Sequence, residues 1–149
     1  MSIEIRLFDE YQRICPQTGK SLETGGEKLG TGVTLRGGRA EFVSFQVLIG
    51  PFSSRGRKKA TVRPSPLRGK KGTISSRQFD LHAQWYLHSG KPMQRRRGPK
   101  VKPGPAADRF VPDALIPLKV YDNQLPLGLP GNDVPKQKYQ GLWVDLFIP

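Results

Sequence analysis

The side chains that could do chemistry are few and widely spaced in this sequence. Acid–base cleavage of a bond between two carboxylates needs a facing pair. Glu41 sits in an apolar run, Asp113 in a Pro-flanked segment and Asp145 in the last apolar run. Their spacing joins none of them, although Glu41 and Asp145 could be neighbours in a sheet. A carboxylate accepts several hydrogen bonds, so Glu41 and Asp113 are expected to hold backbone or Arg partners at sheet corners. His82 and His88 are six residues apart, wider than the usual paired-His zinc spacing. Cys15 is the one cysteine; it has no local partner that would activate its thiol and cannot form an internal disulfide. No G-x-S-x-G nucleophile motif occurs. Gly30-Thr31-Gly32 precedes a strand and lacks the Lys-Ser/Thr of a phosphate loop. The expectation is no catalytic residue, no metal and no cofactor.

Binding chemistry is better represented. Residues 55–102 hold fifteen of the 25 Lys and Arg and one of the 12 acids, so they carry more than the whole formal charge of +13. Lys58, Lys59, Arg95, Arg96 and Arg97 are the candidate anion contacts. Such groups grip phosphates without reading sequence, and salt weakens that grip. The plainer reading is two solvated basic loops. No aromatic residue interrupts the basic run between Ser53 and Lys71, as a base-stacking surface would require. A flat ring can also cover the apolar face of a sugar. Tyr86 is expected to be the better exposed ring and the leading glycan contact, with Trp85 beside it. Trp85 shares its strand face with Phe79 and Leu81, and Trp143 lies in an apolar run, so both also read as core.

These residues must be positioned by strands. The 17 Gly and 14 Pro argue against long helices. Period-two alternation marks strands at 3–7, at 40–49 and at 79–87. A shorter strand is expected at 33–35, and another near 60–63 inside the basic stretch. Both faces of 40–49 are apolar, which suggests a central strand. Residues 142–148 form the last strand, with Trp143, Asp145 and Phe147 on one face. Residues 15–30 read as a loop, and 125–134 as a turn-rich connection. Pro112 and Pro117 disfavour a central strand at 111–118. Basic loops are expected near 53–72 and 89–107. No run has the length of a membrane-spanning helix. The first residues lack the pattern of a signal peptide and point to no compartment.

Three segments together resemble one family. Residues 39–51 (RAEFVSFQVLIGP), 108–118 (DRFVPDALIPL) and 140–149 (QGLWVDLFIP) are similar to motifs of proteins carrying domain of unknown function 4091. These proteins are related to glycoside hydrolase family 123. The three segments cover 34 of 149 residues. In that family an N-terminal β-sandwich precedes a catalytic barrel. The resemblance implies an all-β, antiparallel, jelly-roll-like sandwich in a single domain over 1–149, incomplete at its C-terminus. It also implies a non-catalytic accessory module whose partners are a catalytic barrel and, through glycan contact, polysaccharide. The alternative is a small basic nucleic-acid-binding protein. The neighbours of a well-formed strand at 142–148 must come from earlier segments or from sequence that is absent. Native proteins avoid an unpaired apolar edge, and a strand ending so abruptly is the reason for expecting a truncated domain.

Overall fold

The structure, a computed structural model, describes residues 3–22, 31–53, 58–90 and 109–149. The described chain is all-β and antiparallel. Its strands are β1 (Glu4–Asp9), β2 (Glu41–Gly50), β3 (Lys58–Thr61), β4 (Leu67–Gly69), β5 (Gly72–Ile74), β6 (Phe79–His88), β7 (Phe110–Pro117), β8 (Gln124–Leu127) and β9 (Gln140–Ile148). Five of them form one sheet in the order β1-β2-β9-β6-β7. β3 pairs with β8, and β4 with β5, in two separate ladders.

β9 lies at the centre of the large sheet. It pairs with β2 from Glu41↔Ile148 to Ile49↔Gln140, and with β6 from Phe79↔Leu146 to Ala83↔Leu142. No unpaired edge is therefore left at the last strand. Its neighbours are earlier segments, and the edges fall to β1 and β7. β7 carries Pro112 and Pro117 without penalty because an edge strand has one side that needs no donor. A bulge between Trp85 and Tyr86 sets Ala114 and Pro112 opposite them, which leaves Asp113 unpaired and exposed.

One face of the sheet is closed by the β3–β8 ladder. Ala83, Leu118, Leu125 and Leu142 are 0% exposed in a cluster that also takes Ile49, Phe52 and Val144. Ala60 and Val62 reach it from the β3 side. A 3-10 turn, Leu118–Tyr121, buries Leu118 and leads into β8. Asp122 and Asn123 follow with φ of 55° and 57°, a left-handed conformation that Asp and Asn tolerate better than most residues.

Three sequence expectations are corrected here. Residues 33–35 form no strand: 32–38 runs without a ladder, and Gly37 passes so close to Val43 and Ile148 that a side chain there would collide with them. The basic stretch at 53–72 holds its expected short strand as β3, two residues earlier than 60–63, but what was expected to be loop around it also contains the β4–β5 hairpin. The turn-rich connection at 125–134 contains β8, with Leu125, Pro126 and Leu127 buried. That strand is four residues long and holds a proline, so it has too few positions to show a period. Of the second basic loop, residues 91–108 lie outside the described residues.

Candidate functional site

The second face of the five-stranded sheet is covered at one end and open at the other. At the covered end, residues 9–22 and 129–139 fold over β2, β9 and β6. Phe8, Ile14 and Leu48 form a small cluster there, with Tyr139 against it. Beside it lies a buried polar network. Gln46 is 2% exposed; its amide donates to the carbonyls of Asp9 and Gln12, and its Oε1 accepts from Gln84 Nε2. From the core side of the sheet, Gln140, 0% exposed, donates to the Gln84 carbonyl. Asn132 Oδ1 accepts from Tyr86 N–H at 2.9 Å, and Asn132 Nδ2 donates to the Tyr86 carbonyl at 2.8 Å. Asn132 thus supplies β6 with the pair of bonds that a neighbouring strand would make. The Gly141 N–H donates to the Tyr86 phenol oxygen at 2.8 Å. This end of the face holds the fold together.

The open end is different. Strand register places Phe42 opposite Phe147, Ser44 opposite Asp145, Asp145 opposite Asp80, and Trp143 opposite His82. Directly opposed residues share a face, so all of these side chains emerge together. Phe42 is 62% exposed, and its ring centroid is 5.1 Å from that of Phe147. Asp145 Oδ1 accepts from Ser44 Oγ and, at 2.7 Å, from Trp143 Nε1. Its Oδ2 lies 3.9 Å from His82 Nδ1, beyond hydrogen-bond reach. The sheet runs on into a groove of about 520 Å³ between residues 9–11 and 34–36, lined by Glu10, Tyr11, Arg36, Glu41, Phe42 and Ser44. Tyr11 is 80% exposed. A hydrogen bond to Glu10 raises its phenol above the ordinary value.

Ser44, Asp145 and His82 are the residue types of a hydrolytic triad, but their order differs from one. Nucleophilic catalysis places His between Ser and Asp, so that the imidazole takes the hydroxyl proton. Here Asp145 stands between the other two and accepts directly from Ser44. This arrangement fixes a carboxylate. What it offers is an oriented acceptor bordered by aromatic rings.

No family model matches the chain, and no curated protein matches it in sequence.

The residues singled out from sequence are dispersed. Tyr86 is 2% exposed, so the expectation that it is the better exposed ring is overturned. The covering segments that the period-two pattern could not reveal bury it, and burial raises its pKa. Trp85 points to the opposite face, half-buried against the main core. Lys58 and Lys59 are exposed on β3 in the other layer. Arg95, Arg96 and Arg97 lie outside the described residues. Glu41 and Asp145 do lie on adjacent strands, yet Glu41 opposes Ile148 and accepts from the Gly38 N–H at 2.6 Å. His88 packs against Phe110, with ring centroids 4.9 Å apart and planes tilted by 49°. Among the described residues, no three His, Cys, Asp or Glu side chains gather as metal ligands would. Trp143 is half-buried and takes part in the open strip. Tyr11, Phe42 and Ser44 were not among the sequence candidates. Phe42 carried a faint signal, as a large ring at the solvent end of a strand that is apolar on both faces.

Proposed function

We propose that this chain is a non-catalytic glycan-contacting domain, the accessory module of a carbohydrate-active enzyme. The observation that carries this reading is the strip Phe42, Phe147 and Trp143 around Asp145, continuous with the groove beside Tyr11. Sugars present apolar C–H faces to rings and hydroxyl donors to fixed acceptors. An oriented carboxylate with one oxygen already engaged leaves the other for a hydroxyl. The resemblance to the domain 4091 family supports the same reading. Its three motifs fall on β2, β7 and β9, and β2 and β9 build the strip. We read the two layers as a sandwich and the catalytic barrel of such a parent protein as a partner.

Titration with soluble polysaccharides, followed by tryptophan fluorescence, tests this. Trp143 lies in the strip and Trp85 in the core, so Trp143→Phe removes the responding signal. Asp145→Asn keeps an acceptor oxygen but loses the charge. It is expected to weaken binding about tenfold, the loss of roughly one charge-assisted hydrogen bond.

The nucleic-acid reading has one observation of its own. Lys58, Lys59, Arg63, Arg68, Lys70 and Lys71 are all exposed across β3–β5 and the adjoining turns. Steep loss of DNA affinity with salt, together with no response to any polysaccharide, would replace the glycan reading with this one.

A further inference from the structure

We infer that a groove between the free edges of β1 and β3 receives an extended peptide strand in which apolar residues alternate with acidic ones. The groove has a volume of about 340 Å³ and lies on the core side of the sheet, away from the aromatic strip. Its floor is aliphatic: Ile5 of β1, with Val47 and Ile49 of β2. Ile3 and Ile5 are 46% and 59% exposed, although Ile49, the partner of Ile5 on β2, belongs to the core. Its rim is cationic, formed by Lys58, Lys59 and Arg63, and among the described residues no carboxylate lines it.

The backbone adds a second kind of complementarity. Among the described residues β3 pairs only with β8, and β1 only with β2. In an antiparallel pair, alternate residues turn their N–H and C=O groups away from the partner. β3 therefore offers unpaired groups on the groove side, the template used in strand addition. An incoming strand sets every second side chain on the aliphatic floor, the side of Ala60, and the others towards Lys59, which β3 turns to the opposite face. A second copy docking through its own β3 would bring Lys58 and Lys59 against each other, and like charges directly opposite repel. A nucleic acid would meet no aromatic ring here, which its bases need for stacking.

The test uses a dye-labelled peptide of roughly eight residues, about the upper length of an ordinary strand, with Val and Glu alternating. A control peptide has the same composition in two blocks. Anisotropy titration of the whole chain is expected to show saturable binding of the alternating peptide. Amide shifts are expected to concentrate at residues 58–63. The Lys58→Glu/Lys59→Glu double variant is expected to bind about tenfold more weakly and to lose most of the salt dependence. Ile5→Lys, at an exposed position, checks the floor independently of the rim. Unchanged circular dichroism shows that each variant is folded. Equal binding of the block peptide, unaltered affinity in both variants, displacement by single-stranded DNA, or self-association that Ile5→Lys abolishes would each overturn the proposal.

Discussion

Tyr86 shows how one buried hydroxyl can carry both stability and pH response. Its oxygen accepts from the Gly141 N–H, and burial raises the phenol above its ordinary value. Tyr86→Phe leaves that N–H unsatisfied, which costs about 1–3 kcal/mol. The sign of the pH effect follows from the raised value. The unfolded phenol ionises near pH 10, while the folded one stays neutral to higher pH. The stability held by the neutral form is complete below about pH 10 and declines as pH rises towards the folded-state value. Urea midpoints measured from pH 8 to 11 are expected to fall more steeply for the native chain than for Tyr86→Phe. Parallel slopes would assign the alkaline loss to other groups. Asp145 is a different case. Ser44 and Trp143 hold it in a partly open position, so Asp145→Asn should cost stability only on the order of 1 kcal/mol. On the proposed glycan-contacting reading, its larger effect is on affinity.

At the scale of elements, the large sheet depends on side chains that stand in for strands. β6 extends beyond its pairing with β9, which ends at Ala83↔Leu142. Past that point Asn132 and Gln140 satisfy the β6 backbone at Tyr86 and Gln84. Asn132→Ala removes two hydrogen bonds from a buried backbone and is expected to cost about 2–4 kcal/mol. Asn132→Asp keeps one acceptor and should fall between the two. Thermal unfolding of the three proteins ranks them. If Asn132→Ala matches the native chain, water must replace the amide and the account fails. Gly141 carries a related constraint. A Cβ there would meet Gln84 Oε1 and the Tyr86 hydroxyl, so the network requires glycine for close approach rather than for an unusual backbone angle.

For the whole molecule, the main cluster joins β2, β6 and β9 of the sheet to β8 of the second layer. Leu125 of β8 is 0% exposed within it. Leu125→Ala is expected to cost about 2–5 kcal/mol, the range for truncating a buried leucine. Because the cluster is shared, the loss should move tertiary and secondary signals together in urea. Near-ultraviolet and far-ultraviolet circular dichroism with separate midpoints would show instead that the β3–β8 layer unfolds alone. Charge is segregated on the same scale. The exposed Lys58 and Lys59 of β3 belong to the second layer, while Asp80 and Asp145 share the open face of the sheet.

The amino-acid order by itself determined the long strands and the face of each of their side chains. Alternation at 40–49, 79–87 and 142–148 placed Phe42 with Ser44, Asp80 with His82, and Trp143 with Asp145 and Phe147. This follows because a strand's side chains alternate strictly with a period of two. The short β8, interrupted by Pro126, had no period to read. Tertiary structure decided which strands meet and what covers them. β9 is central because β2 and β6 both pair with it, a long-range choice that no local pattern encodes. The three faces therefore coincide, and Ser44, Asp145, Trp143 and His82 become neighbours. Coverage of one end by residues 9–22 and 129–139 buried Tyr86 and left Phe42 exposed. Residues on one face of a sheet look alike in sequence, and only packing by distant segments divides them into core and surface.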